Sequence, residues 1–145
     1  MDFLDYCENG DINNIKQMSL KGCNLDCGFR WACWCGHYDI VRYLCELYKT
    51  GEYEKINIHA GDEEGFRLAC YKEHYNIVQY LCELYKTGDY TKINIHAHTE
   101  LGFRWACMNG KYEILYFLMT LYKKHQYKPI HNFIRIFKKI DKYLI

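Results

Sequence analysis

The feature that most constrains the fold of this chain is a six-residue block that recurs at a fixed interval of 37 residues. The block Gly-Phe-Arg-Trp-Ala-Cys begins at Gly28, returns with one change at Gly65, and returns unchanged at Gly102. An interval between about 20 and 50 residues is typical of repeat proteins, in which each unit buries its apolar face against the next unit. The repeat therefore predicts a stacked array and explains many conspicuous residues as scaffold.

Each unit is predicted to form two helices joined by a tight turn and followed by an extended connector. Apolar residues within 29–33 crowd on one side of a first helix, and Gly36 suits the left-handed position that ends such a helix. Apolar residues between 40 and 48 then recur at three- and four-residue spacing, which predicts a second helix that Gly51 ends. One such unit cannot bury its apolar side alone, so the units are expected to stack.

The helix starts and the two ends of the array carry their own signals. Asp62 and Thr99 precede the first helices of the second and third units, where their side chains are predicted to cap the helix N-termini. Residues 1–26 repeat the unit in shortened form, with polar residues that suit a terminal cap. Residues 131–145 are predicted to form a C-terminal capping helix with one apolar and one basic face.

These units resemble ankyrin repeats. The sequence Gly-His-Tyr-Asp-Ile-Val from Gly36 to Val41 is similar to the family's turn and second-helix start, and Ala32 and Cys33 stand where the family has an alanine pair. The chain is most similar to the divergent ankyrin proteins of giant DNA viruses of amoebae. Its interval is longer than the roughly 33 residues of the family, and the family's Thr-Pro helix start is absent. The resemblance implies an all-α, ankyrin-type helix-turn-helix solenoid with shortened or irregular hairpin connections.

The length of 145 residues fits one domain. The acidic N-terminus lacks the pattern of a secretory signal, and no apolar run reaches the roughly 20 residues that a membrane-spanning helix needs. We therefore expect an intracellular, cytoplasmic protein with reduced cysteines, inside a host cell if the chain is viral. The predicted N-terminal cap, three repeats and C-terminal capping helix occupy residues 1–26, 27–63, 64–100, 101–130 and 131–145.

The net charge of +1 hides an uneven distribution along the chain. Residues 1–64 hold six basic and twelve acidic side chains, a balance of −6, whereas residues 65–145 hold thirteen basic and six acidic ones, a balance of +7. In a stacked array the two ends would then carry opposite charge, which can steer a charged partner. The alternative interpretation is a drift in solvated surface charge without functional meaning.

Nine cysteines and seven histidines raise the hypothesis of a metal or thiol site. Cys23, Cys27 and Cys35 lie outside the repeated cysteine positions, but even with His37 they lack the paired Cys-x-x-Cys spacing of structural zinc sites. A Cys35–His37 nucleophile pair would need a third, orienting group that the sequence does not supply. We expect no enzyme, metal or cofactor, and a metal-binding or redox protein stays an alternative. The repeated cysteines are predicted to form two buried columns, Cys7, Cys33, Cys70 and Cys107, and Cys45 and Cys82.

The basic face of the predicted C-terminal helix offers a second alternative. Arg135, Lys138, Lys139 and Lys142 share that face, and four cations could contact nucleic acid or an anionic membrane surface. An exposed face on a capping helix predicts the same pattern, so we expect the chain to bind neither nucleic acid nor membrane.

The positions that differ between units give the clearest functional signal. Directly before the turn, the successive units carry the large apolar residues Trp34, Tyr71 and Met108, which we call the ladder. The ankyrin resemblance implies that this position faces the concave groove in which partners bind, and large apolar side chains there are candidate anchors. The alternative is that the shortened loops fold over the ladder and bury it.

Other residues are predicted to complete the candidate site. The residue that follows each ladder position shares the groove, and acidic residues at the start of the next first helix flank it on the hairpin side. These neighbours of the ladder are Cys35, Lys72 and Asn109, and the flanking residues are Glu63, Glu64 and Glu100.

Trp31, Leu68 and Trp105 occupy the position that is buried and apolar in the family, and they are predicted to belong to the core. Taken with the ladder, the sequence favours a monomeric, non-catalytic module that binds an unidentified protein, a host-cell protein if the chain is viral. Rigid helices would present such a groove already organised for binding.

Overall fold

The computed structural model of the chain describes residues 1–110 and 112–123, without the side chains of Glu100, Tyr122 and Lys123. The predicted C-terminal capping helix, its basic face and the last residues of the third repeat lie outside the described residues. Within the described ranges the regular structure is helical and contains no strand, so the predicted all-α class is confirmed. The α-helices there are α1 (Phe3–Asn9), α2 (Ile12–Gln17), α3 (Leu25–Cys35), α4 (Tyr38–Glu46), α5 (Ala60–Tyr71), α6 (Tyr75–Glu83), α7 (Ala97–Met108) and α8 (Tyr112–Lys123).

The helices pair and stack in the order of the repeats. The first helices α1, α3, α5 and α7 pack side by side in one row, and each second helix packs on the first helix that precedes it. In the second row α4 contacts α6, and α6 contacts α8. Both rows contribute apolar side chains to one continuous core.

The core repeats as the sequence does. Phe29, Phe66 and Phe103 are each only 1% exposed. Three and four positions after each Phe, an alanine and a cysteine lie on the same side of the helix, and all three alanines are fully buried. The cysteines of both predicted columns are buried as well, except Cys107 on α7, which is half-buried.

Close helix packing explains why a glycine begins each repeated block. A Cβ atom at Gly28 would lie 2.5 Å from the ring of Phe3, and one at Gly65 would lie 2.5 Å from the ring of Phe29. Carbon atoms in contact normally lie about 3.5–4 Å apart, so a side chain here would force the ring or the helix to move. The absent side chain therefore lets each first helix pack closely on the phenylalanine of the preceding one.

The turns that follow α1 and α3 combine a left-handed glycine with a histidine of the next unit. Gly36 ends α3 in the predicted left-handed conformation, with φ of 85°, and a Cβ there would overlap the ring of His74. His74 Nε2–H donates to the carbonyl of Trp34 over 2.9 Å, and His37 Nε2–H donates in the same way to Glu8 over 2.8 Å. A carbonyl can only accept, so Nε2 carries the proton in both rings. Each histidine thus ties the start of a second helix to the last turn of the first helix in the preceding unit.

Short 3-10 turns and irregular connectors follow the second helices of the first two repeats. Leu47–Thr50 continues α4 and Leu84–Thr87 continues α6 as 3-10 helices. Gly51 and Gly88 end these turns in left-handed conformations, with φ of 79° and 83°. Gly51 therefore ends this helical segment as predicted.

A carboxylate holds each connector against the start of a first helix. Asp26 Oδ1 accepts from the backbone N–H of Asn57 over 3.0 Å, and Glu63 Oε1 accepts from the backbone N–H of Asn94 over 2.9 Å. The two acidic residues stand one repeat interval apart, as do the two asparagines. The acidic residue at this position of the repeat is therefore part of the scaffold.

The prediction that Asp62 and Thr99 cap the first helices is wrong. Both residues have φ of 55°, in the left-handed region, whereas an N-cap residue is typically extended. The Asp62 carboxylate accepts instead from the backbone N–H of His98 over 3.3 Å, and the backbone carbonyl of Asp62 accepts from Arg67 Nε over 2.9 Å. These side chains hold a tight left-handed turn against the next repeat.

Candidate partner-binding face

The ladder lies on the side of the first helices opposite their buried phenylalanines, and we call this side of α1, α3, α5 and α7 the open face. The Trp34 and Tyr71 rings stack with centroids 5.8 Å apart and planes inclined by 16°. Tyr71 also contacts the ring of Trp105 at a centroid distance of 4.8 Å. Tyr71 is 42% exposed and Met108 is 77% exposed, so the loops do not cover the ladder.

The prediction that Trp31, Leu68 and Trp105 belong to the core is wrong. Trp31 is 39% exposed, and Leu68 and Trp105 are half-buried. Successive residues of an α-helix are rotated by about 100°, which places Trp31 on the opposite side of α3 from the buried Phe29. These side chains therefore extend the apolar surface of the ladder across the open face.

Between α3 and α5 the open face deepens into a pocket of about 510 Å³. Arg30 Nη1 and Glu64 Oε2 form an ion pair across it at 3.0 Å. Both side chains keep about a third of their surface exposed, so the pair positions the two groups more than it stabilises the fold. The pocket is large enough for one bulky side chain of a partner. Its lining residues are Cys27, Arg30, Trp31, Trp34, Glu64 and Leu68.

The predicted neighbours of the ladder lie beside it. Lys72 Nζ lies 4.4 Å from the centroid of the Trp34 ring, a cation–π contact that joins α5 to α3. Burial raises the pKa of the half-buried Cys35 thiol, the Glu8 carboxylate raises it further, and the Lys72 ammonium lowers it. Asn109 follows α7 and is exposed. The structure thus brings Cys35 and Lys72 together with the first two ladder rings.

The three acidic residues predicted to flank the ladder have different positions. Glu63 is 4% exposed, and its carboxylate binds the His59 Nδ1 at 2.8 Å, so the prediction that it meets a partner is wrong. Its carboxylate accepts from the backbone N–H of Asn94 in the connector and contacts the His59 ring, and these inward contacts accompany its burial. Glu64 lies at the pocket in its ion pair with Arg30. The side chain of Glu100 lies outside the described part of the chain.

Sequence reasoning missed Arg30 and Trp31 as residues of this surface. Both belong to the repeated block, and repetition assigns a residue to the scaffold by default. The signal that could have found them is helical rotation: Phe29, Ala32 and Cys33 share the buried side, which leaves the two intervening residues on the other side.

The structure places Cys35 and His37 in separate contacts. Among the residues that the structure describes, no group of three or more His, Cys, Asp or Glu side chains is placed to hold a metal ion. His37 is engaged with the Glu8 carbonyl. The raised pKa of Cys35 keeps its thiol protonated, whereas a nucleophilic cysteine needs a lowered pKa.

Protein-family models, curated proteins and solved structures offer no match to this chain. No described helix combines the length and the apolar character needed to span a membrane. The open face is therefore interpreted from its own geometry and chemistry.

Proposed function

We propose that this chain is a non-catalytic, ankyrin-type repeat module that binds another protein through its open face. The observation that carries the proposal is the ladder with its added tryptophans. These large side chains remain partly or largely exposed on three successive first helices, and several of them contact one another outside the buried core. An exposed apolar strip of this kind is typical of a protein interface.

The ankyrin-type assignment is supported by the arrangement of the helix pairs. Two rows of helices, a left-handed glycine at the turn, and a histidine that bonds the preceding repeat all agree with the sequence resemblance. The resemblance also leads us to place the partner inside a host cell, an amoeba if the chain is viral.

The geometry suits tight binding by few residues. Trp34 and Tyr71 already hold each other in a stack, so little side-chain freedom is lost when a partner covers them. Aromatic side chains of this kind dominate binding energy, and truncation of one central anchor typically costs about 2 kcal/mol, or roughly 30-fold in affinity. The pocket beside Trp34 gives a partner's own anchor a place to insert.

The test is affinity capture from amoebal lysate with three versions of the full chain. The first is wild type, and the second carries Trp34→Ala, Tyr71→Ala and Met108→Ala. The third is a matched control with Tyr112→Ala and Tyr116→Ala, which removes two tyrosines of α8 that are 66% and 64% exposed. Circular dichroism confirms that all three versions are folded.

A protein held by wild type and control but lost by the ladder variant supports the proposal. Equal capture by all three versions contradicts it, because the contact would then lie away from the ladder. Capture of no specific protein by wild type contradicts the binding role itself.

A further inference from the structure

The open face changes its charge from one end to the other. At the α1 end the acidic residues Asp5 and Glu8 stand at the positions that Trp31 and Trp34 occupy in the first repeat. Across α5 and α7 the same face carries basic residues beside the apolar ones. These are Arg67, Lys72 and Arg104.

The packing of α1 confirms this register. A Cβ at Gly28 would meet Phe3 at 2.5 Å and Cys7 Sγ at 3.0 Å, just as one at Gly65 would meet Phe29 at 2.5 Å and Cys33 Sγ at 3.4 Å. The first helix of the cap therefore stacks on α3 as α3 stacks on α5. Glu8 thus lies one helix step before the first ring of the ladder.

The Cys35 thiol lies close enough to an acidic and a basic side chain of the face for both to affect its pKa. Burial is the main cause that raises the pKa of this thiol. The Glu8 carboxylate on the α1 side raises the pKa further, and the Lys72 ammonium on the α5 side lowers it. The ladder therefore begins between an acidic region and a basic one.

Among the residues whose side chains the structure describes, the other charges reduce this polarity without cancelling it. Glu64 is paired with Arg30, so together they contribute no net charge. Arg67 donates to the backbone carbonyls of Gly61 and Asp62. These two acceptors are uncharged, so they do not neutralise its positive charge. Arg104 is exposed on α7. Glu73, at the turn after Lys72, and Asp62, at the start of α5, offset two of the three basic residues.

We propose that the partner of the open face is a bipolar protein segment that is basic over α1, contacts the ladder with aromatic or aliphatic residues, and carries acidic residues among these over α5 and α7. This assignment rests on the proposed function and adds the chemistry of the partner. Packed helices lie about 8–10 Å apart, so the face from α1 to α7 measures roughly 25–30 Å. An extended segment covers that distance with about eight or nine residues.

Charge complementarity favours a protein segment over a single-stranded nucleic acid. The aromatic ladder would suit stacked bases, but a nucleic acid repeats a negative charge at every step. The acidic α1 end would repel its phosphates. A bipolar segment meets an opposite charge at both ends.

The test selects peptides from a random displayed library, each about 16 residues long to exceed the face. Wild type is expected to enrich peptides with basic, apolar and acidic residues in one fixed order along the peptide. The double variant Glu8→Lys/Arg104→Glu should enrich the reverse order, and should bind the wild-type peptides roughly tenfold more weakly. A control, Lys49→Glu/Glu52→Lys, exchanges exposed charges outside the first helices and should select like wild type.

The outcomes separate this assignment from the proposed function. Enriched peptides that need Trp34 and Tyr71, but show no charge order or ignore the double reversal, overturn the bipolar partner and leave the binding role intact. Failure to enrich any peptide that depends on Trp34 and Tyr71 overturns both. Ladder-dependent binding of a mixed-sequence single-stranded DNA at low salt would also overturn the bipolar protein segment.

Discussion

Replacing Gly65 with alanine tests whether close packing on the preceding phenylalanine explains the repeated glycine. The substitution adds one methyl group whose carbon would lie 2.5 Å from Phe29 Cε1 and 3.0 Å from Phe29 Cζ. Backbone conformation is not the issue, because Gly65 lies in α5 after its left-handed turn. The equivalent change at Gly102 is milder, since the nearest atoms there, Cys70 Sγ and Phe66 Cε1, lie 3.1 Å away.

Two opposing effects determine the magnitude. Alanine is more favourable than glycine inside a helix by up to about 1 kcal/mol, whereas overpacking a filled core costs about 1–3 kcal/mol. At Gly65 the overlap is severe and the ring is fully buried, so overpacking should prevail and Gly65→Ala should lower the free energy of unfolding by about 1–2 kcal/mol. At Gly102 a shift of a few tenths of an ångström relieves the contact, so the net change should stay within about 0.5 kcal/mol.

Urea unfolding followed by far-UV circular dichroism measures both variants against wild type. Phe29→Leu removes the outer ring atoms, so Gly65→Ala should cost at least about 1 kcal/mol less in that background. Gly102→Ala should show no such coupling with Phe29→Leu. The packing explanation is refuted if Gly65→Ala is as stable as wild type, or if its cost is unchanged when Phe29 is leucine.

Three further changes test other parts of the structure. Glu63→Ala should lower the free energy of unfolding by about 2 kcal/mol, because it removes the acceptor of the Asn94 N–H and of His59 from a largely buried position. Glu63→Gln keeps an acceptor oxygen and should lose less stability in the same urea unfolding assay. Equal losses for the two variants would contradict this role. His74→Ala should lower the free energy of unfolding by about 1–2 kcal/mol, because it removes the hydrogen bond to the Trp34 carbonyl. Amide hydrogen exchange at the start of α6 should become faster, and unchanged exchange would contradict this role. Burial raises the pKa of the Cys107 thiol from 9.0 to about 11, and burial is also the main cause that raises the pKa of Cys7 to about 12. The unfolded chain then loses these protons first, so stability is complete below about pH 9 and falls as pH rises toward 11; a urea midpoint that is no lower at pH 10 than at pH 8 would contradict this.

The sequence predicts the buried half of this molecule well because burial repeats with the chain. Phe29 and its equivalents recur every 37 residues, and the alanine and cysteine three and four positions later must share their side of the helix. The left-handed Gly36 is equally predictable, since few other residues adopt that conformation readily at a helix end. By contrast, Gly65 has no side chain because the Phe29 ring of the preceding repeat packs against it, and no pattern within one unit predicts that contact.

The open face is harder to predict because repetition does not distinguish scaffold from surface. Trp31 repeats as Trp105 and so resembles a core residue, yet helical rotation turns it outward. Glu63 is the opposite case: its charge predicts exposure, but its carboxylate is buried and accepts from the backbone N–H of Asn94 in the connector. What separates the two cases is whether a backbone group needs the side chain. The carboxylate of Glu63 serves such a group, whereas the ring of Trp34 contacts the side chains of Tyr71 and Lys72 and lines the pocket of the open face, where a partner can reach it.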